Sequence, residues 1–392
     1  MNIFKTIMLL SYISVASASA AIITPALPIL QDYFSTGHGA IELVVTLFLV
    51  GYMVGQLLYG PLANRLGRLG ALRLGFAINL VGIAICLLSS PTQSYSLLLI
   101  GRLVTALGAS AGLSCTFMLI NELMEETQAK QALSYAVVSF TLGFGVSIFI
   151  SGFITQYLSW TVIFWLLMLH GVIMLISTWL FSEPLQQKQS IHIGAIVRGY
   201  LSAFRSQELV IFALFLGLVS SFSYCYSTAA PMVAHSYLNI APASYGSWNL
   251  LTMIGMLAGA LTAAPLMKAF STTKMLLITV ALFSLGLVSF IAQLSLQSHS
   301  IIWFFATATY LYFFASWLFP CSSYFASNAI SDRANASAAM NFINMASAMC
   351  TVTIMGYLPW TAFASFIVVL AVFLGLCMTF YMVRRTAMSS GS

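Results

Sequence analysis

The sequence predicts an all-α membrane protein that crosses a bilayer twelve times, in two similar halves of six helices. Three observations predict it: apolar runs of membrane-spanning length, positive charge confined to alternate loops, and an internal repeat. Hydrophobic residues make up 60% of the chain and charged residues only 6%, whereas a soluble domain carries about 25% charged residues. So few charges cannot cover a water-facing surface, so lipid is the main solvent. A helix needs about 20 apolar residues to cross the hydrocarbon core. The 392 residues therefore leave room for twelve such helices and short loops, with no separate soluble domain.

The first run, 6–30, follows Lys5 and contains Ala16-Ser17-Ala18-Ser19-Ala20, a stretch that looks like a signal-peptide cleavage region. It stays apolar to Leu30, too long for a signal core, and the topology needs it, so it is read as an uncleaved first span. The remaining runs are 41–63, 73–90, 95–120, 134–156, 161–181, 208–234, 245–267, 274–294, 301–326, 336–357 and 361–383. They are continuous rather than alternating, which argues against a membrane β-barrel. Cys86, Cys115, Cys225, Cys321, Cys350 and Cys377 all fall inside these runs. They read as small packing residues, not as a disulfide framework or a metal site.

Charge sets the orientation. With the N-terminus in the cytoplasm, the cytoplasmic segments hold Lys5, Arg65, Arg68, Arg73, Lys130, Lys188, Arg198, Arg205, Lys268, Lys274, Arg333, Arg384 and Arg385, thirteen of the 14 basic residues. The remaining one, Arg102, lies within a span, and no outer loop carries any. This satisfies the positive-inside rule and predicts a bacterial-type inner (plasma) membrane protein with both termini cytoplasmic. It also explains the formal charge of +6 as a topology signal, which excludes nucleic acid as a partner.

The longest polar segment divides the chain into a six-helix bundle over 1–181, a cytoplasmic linker over 182–207 and a second bundle over 208–392. Residues 191–205 predict a short surface helix with Ile193, Ile196, Val197 and Leu201 on one side. The halves repeat at an offset of 204 residues: Gly51, Gly55, Leu57 and Pro61-Leu62 align with Gly255, Gly259, Leu261 and Pro265-Leu266. The shared Gly-x-x-x-Gly lets a helix backbone approach a neighbour closely. Parallel six-span repeats are a transporter architecture, with the substrate site near the midplane.

Gly60-Pro61-Leu62-Ala63-Asn64-Arg65-Leu66-Gly67-Arg68 resembles the loop signature of the major facilitator superfamily. Asn64 stands where that signature has Asp, and Leu69 where a second basic residue is usual. Pro25-Ala26-Leu27-Pro28, Gly55 through Leu62, Gly101-Arg102, Trp160, Ala230-Pro231-Met232-Val233, Phe319-Pro320 and Ala334 through Ala339 resemble the bicyclomycin and chloramphenicol resistance branch. The resemblance implies the major facilitator fold, alternating access, a monomer, and multidrug-type efflux by antiport with protons. Two departures bear on that. The span-one acid of the branch is Ala21, and Ile148 replaces a proline of the span-five antiporter motif, which keeps Gly143, Gly145 and Gly152.

Several residues are candidates for the work itself. A charge inside a span is costly, so Arg102 is read as a substrate or coupling site, or else as a structural arginine bonding span-end carbonyls. Guanidinium suits carboxylates, and the expectation is that no acid permanently neutralises it, which favours an anionic or zwitterionic substrate. Tyr224, Tyr226, Tyr310, Asn341 and Asn344 add aromatic and amide groups for a semi-polar organic ligand, or else bond neighbouring helices. Asn341 and Asn344, three apart, share a helix face. Glu42 and His170 are the proton-coupling candidates; Glu42 also reads as a solvated helix-start acid and His170 as a neutral bundle histidine. Gly60, Asn64, Arg65, Gly67 and Arg68 are the gating candidates, with Asn64 expected to weaken the lock.

No phosphate-cradling loop, metal-ligand spacing or catalytic constellation is present in the sequence, so no enzyme activity, cofactor or metal is expected. The leading reading is a secondary transporter of a small organic molecule. The alternatives are a dedicated carrier of an anionic metabolite, such as a carboxylate siderophore, and a non-transporting receptor or scaffold.

Overall fold

The computed structural model describes residues 3–185, 194, 202–330 and 333–389. Twelve of its helices are long and apolar enough to cross a membrane, numbered as spans 1 to 12: Ile3–Tyr33, Leu43–Leu66, Arg68–Leu88, Tyr95–Leu123, Gln131–Tyr157, Thr161–Leu180, Gln207–Ser236, Pro242–Ala269, Thr272–Ser295, Ile301–Asn328, Ala336–Tyr357 and Ala362–Arg384. Of the surface helix expected over 191–205, residues 191–193 and 195–201, Arg198 among them, lie outside the described residues, as do Lys188, Asp332 and the side chains of Ala334 and Asn335.

The chain forms two compact units, Met1–His192 with Ala234–Met253, and Ile193–Val233 with Ile254–Ser392. The first unit also takes in the end of span 7 and the first half of span 8.

Span 1 is not one continuous α-helix. It runs as Ile3–Ser11, Ile13–Ala21, a tight turn Thr24–Ala26 and Leu27–Tyr33. Pro25 has no N–H to give to the carbonyl four residues back. That carbonyl belongs to Ala21, and the Thr24 hydroxyl donates to it at 2.9 Å. A side chain thus replaces the missing backbone bond beside the proline. Other spans start on serine caps: the Ser94, Ser271 and Ser300 side chains accept from Leu97 N, Lys274 N and Trp303 N, satisfying amides that have no partner in the helix.

The repeat is carried by backbone as well as by sequence. Among the described residues, four that are not glycine have positive φ, Ser35 (49°), Gln93 (49°), Asn239 (53°) and Gln297 (49°), and they fall into two pairs 204 apart. The Gln93 and Gln297 turns share their backbone bonds. Gln93 N donates to Ser90 O and Ser94 N to Ser89 O, while Gln297 N donates to Leu294 O and Ser298 N to Gln293 O. Such left-handed residues are uncommon outside glycine, so their recurrence at one offset marks duplicated turns.

The aligned glycines also do equivalent work. A side-chain carbon at Gly51 or Gly55 would collide with the carbonyl of Leu103 or Leu107 on span 4. One at Gly255 or Gly259 would collide with the carbonyl of Thr309 or Phe313 on span 10. Each Gly-x-x-x-Gly therefore brings backbone against backbone within its own unit, as small residues do in membrane bundles. Spans 3 and 4 use a second ladder: Gly75 and Gly82 face Ala111 and Thr105, and Gly101 and Gly108 face Cys86 and Asn79.

Candidate functional site

The first unit holds a buried polar node on span 1. Arg102 is 0% exposed. Its Nη1 donates to Ser19 O at 2.7 Å and its Nε to Val44 O at 3.3 Å. Its guanidinium carbon lies 4.4 Å from the centre of the Phe48 ring, a favourable cation–π position. The same Ser19 accepts on its hydroxyl from Asn79 Nδ2 at 3.5 Å, and Asn79 Nδ2 also donates to Thr105 O at 2.9 Å. One serine, just before the break in span 1, thus gathers side chains from spans 3 and 4. Span 2 joins through Val44 and Phe48.

Ala21, at the place of the branch's acid, is 0% exposed. Glu42 is 7% exposed and its Oε2 has no hydrogen-bond partner among the described residues. It makes no ion pair there with Arg102. His170, halfway along span 6, is half-buried and its Nε2 lies 3.0 Å from Ser14 Oγ on span 1.

A second cluster closes one end of this unit, the end that carries Arg65, Arg68 and Arg73. Gly67 has φ +96° and starts span 3. The Glu183 carboxylate, arriving from the end of span 6, accepts from Arg68 N at 2.8 Å and from Leu69 N at 2.9 Å. It therefore caps the positive end of the span-3 helix dipole. Arg68 in turn donates to Glu122 Oε1 at 2.8 Å through Nε and to Asn64 Oδ1 through Nη1. Nearby, Arg73 bonds Thr178 and lies 5.0 Å from the Trp179 ring. Arg65 is exposed, and nothing lies within 4 Å of where a Gly60 side chain would begin. The gating candidates are thus divided: Asn64, Gly67 and Arg68 join one network, while Arg65 and Gly60 stand apart from it.

In the second unit, Tyr226 is 1% exposed and packs in an aromatic core. Its ring centre is 5.4 Å from Tyr312 and 6.1 Å from Phe304. Tyr224 is 8% exposed. Both span-7 tyrosines are therefore enclosed by packing. Tyr310 is half-buried, 4.7 Å from the Phe314 ring. Asn344 is buried with its Oδ1 lacking a hydrogen-bond partner among the described residues, whereas Asn341 is exposed. Three residues turn a helix by about 300°, enough to put the two amides on opposite sides of the burial boundary. Ser347, a turn further on, fills the notch left by Gly217 of span 7.

Ser19, Asn79, Ser14 and Glu183 were not legible as site residues. Asn79 had a usable signal, as the lone amide in the apolar run of span 3. Glu183 had another, as the acid that directly follows span 6.

Duplicated bundles of apolar, glycine-packed helices, the first with a fully buried arginine within it, define a multi-pass membrane protein of transporter architecture. Residues 9–234 match the Major Facilitator Superfamily. That is more than half of the chain, and the chain belongs to this superfamily, whose members are transporters and not enzymes. Among curated proteins, the quinolone resistance protein NorB of Staphylococcus aureus (strain JH9) is 30% identical over 171 residues, 43% of this chain. The matched stretch spans only 35% of that relative's length. The inward open xylose transporter XylE from E. coli superposes with a TM-score of 0.77 at 14% identity, covering 97% of this chain and 96% of that one. The POT family transporter PepTSo gives 0.73 at 12% identity, covering 97% and 98%. At such identities the structures establish the fold alone.

Proposed function

We propose that this protein is a secondary transporter that exports a small amphiphilic organic molecule by alternating access, driven by protons. The observation that carries the reading is the similarity over 171 residues to a quinolone resistance protein. Loop and span motifs resembling the bicyclomycin and chloramphenicol resistance branch support it. The proposed setting is the inner membrane, as a monomer, with both termini cytoplasmic, as the loop charges favour.

Quinolones carry a carboxylate and commonly an amine. A zwitterion of that kind suits a bundle that buries Arg102 and has Ala21 in place of the branch's acid. Cationic dyes are the poorer substrates on this reading. The test is drug accumulation in cells with and without the gene. Lower retention of a fluoroquinolone in expressing cells, with little change for a cationic dye, supports the reading. Good transport of the dye that is unaffected by Arg102→Ala sinks it.

The same pair, Arg102 kept and the span-one acid absent, favours a second reading: a dedicated carrier of an anionic metabolite such as a carboxylate siderophore. A susceptibility profile that leaves every drug unchanged, together with flux of the carboxylate, would select it.

A further inference from the structure

The hydrogen bonds around His170 fix its tautomer. Ser14 Oγ lies 2.6 Å from Ser11 O. Two oxygens approach this closely only with a proton between them, and a hydroxyl has a single proton to give. Ser14 therefore donates to Ser11 O and has only lone pairs left for His170. At 3.0 Å the imidazole Nε2 must be the donor. In the neutral ring one nitrogen carries the proton and the other a lone pair, so the lone pair sits on Nδ1. That nitrogen has no hydrogen-bond partner among the described residues.

Position adds to this. His170 is the tenth of the 20 residues in span 6, so it stands near the middle of the bilayer. An ionisable side chain at that depth is costly to charge. The groups on the elements packed against span 6 do not offset the cost. Span 1 offers Tyr12, which bonds Ser177, with Lys5, Asp32 and Tyr33 towards its ends. Span 3 offers Arg68 and Arg73 near its start, bonded to Glu122 and Thr178, and Cys86 near its far end. The described titratable side chains of span 5 are Tyr135 and Tyr157, towards its two ends, with Glu126 just before it. None of these bonds His170, and Gly171 beside it faces Leu80 and Asn79.

We infer that His170 is the proton acceptor of the transport cycle, held by Ser14 as the Nε2–H tautomer so that Nδ1 takes the proton. The inference rests on the proton-driven reading above. Protonation converts the neutral imidazole to imidazolium, with Nε2–H still bonded to Ser14. The new Nδ1–H then has no acceptor in the conformation described, so the charged form favours a conformation that hydrates the Nδ1 side. Ser14 sits on span 1, so the preference is transmitted to the span that carries the Ser19 node and the proline break.

The experiment uses the full chain with 15N-imidazole histidine, in micelles and in proteoliposomes. One of the five histidine signals, the one missing in His170→Gln, is expected to be the Nε2–H tautomer at high pH and to gain a proton on Nδ1 on acidification. Ser14→Ala keeps the imidazole and is expected to give mixed tautomers. Fluoroquinolone flux driven by a pH gradient is expected to fall at least tenfold in His170→Gln, while exchange without a gradient persists. An Nδ1–H tautomer, or a ring that gains no proton on acidification, overturns the proposal. Proton-driven flux in the wild type that His170→Gln leaves unchanged overturns the assignment to His170 alone. Wild-type flux indifferent to a pH gradient overturns the proton-driven reading, and the coupling role with it.

Discussion

Gly67→Ala is the substitution whose cost can be worked most fully from the structure. Gly67 has φ +96° and ψ 160°, a region that is essentially glycine's own and costs an L-residue about 1–3 kcal/mol. A methyl carbon there would lie 2.6 Å from the Glu183 carboxylate carbon, so the carboxylate must leave. Its departure frees the amides of Arg68 and Leu69, which it now accepts at 2.8 and 2.9 Å. Loss of an N-terminal cap costs about 0.5–2 kcal/mol, and loss of an anion at the helix dipole about 0.3–1 kcal/mol. Glu183 is exposed, which places the dipole contribution at its low end. Gly67→Ala should therefore destabilise by about 2–5 kcal/mol. Glu183→Ala alone should cost about 1–2 kcal/mol.

The two effects overlap, because both remove the same cap. In a Glu183→Ala background Gly67→Ala should cost only the backbone strain, leaving the pair less than additive by about 1–2 kcal/mol. The assay is equilibrium unfolding of the purified full chain in mixed micelles, followed by tryptophan fluorescence. Wild-type stability in Gly67→Ala would refute the reasoning. So would additivity to within about 0.5 kcal/mol, which would mean that Glu183 does not hold the start of span 3.

Three further outcomes follow from the packing. Gly108→Val should destabilise strongly, by about 3 kcal/mol or more, because its side chain begins 2.7 Å from Asn79 Cα; thermal melting in detergent checks it. Asn79→Ala removes the donor to Thr105 O and to Ser19 Oγ and should cost about 1–3 kcal/mol. Arg102→Ala leaves the Ser19 carbonyl without its 2.7 Å donor and opens a buried cavity. The expected loss is about 2–4 kcal/mol, lessened by removal of the buried charge, and coupled to Asn79→Ala through Ser19 in a double-mutant cycle.

What the sequence makes legible is whatever is local or periodic. Span length, loop charge and the offset of 204 need only the chain itself, and the turns at Gln93 and Gln297 follow that offset. The edges were less legible. Span 1 runs from Ile3 to Tyr33 rather than over 6–30, because the helix continues through polar residues such as Lys5, Gln31 and Asp32 that bound the apolar run. Arg102 was visible as a charge in an apolar run, but its partners were not. Ser19 O and Val44 O are backbone atoms, and no residue type advertises them. Asn341 and Asn344 show the opposite difficulty: spacing put them on one face, and the boundary between exposed and buried fell between them. Glu183 is separated from Arg68 by 115 residues, so only the folded bundle reveals that an acid following span 6 serves a loop that carries Asn64 where the family signature has an acid.

The central claim is that this bundle couples protons to export of a small zwitterionic molecule. Its most direct test is fluoroquinolone flux into proteoliposomes of the purified full chain, with and without an imposed pH gradient. The account predicts accumulation that requires the gradient, collapses when a protonophore dissipates it, and falls at least tenfold in His170→Gln. Equal flux with and without the gradient, or no flux beyond empty liposomes, would contradict it.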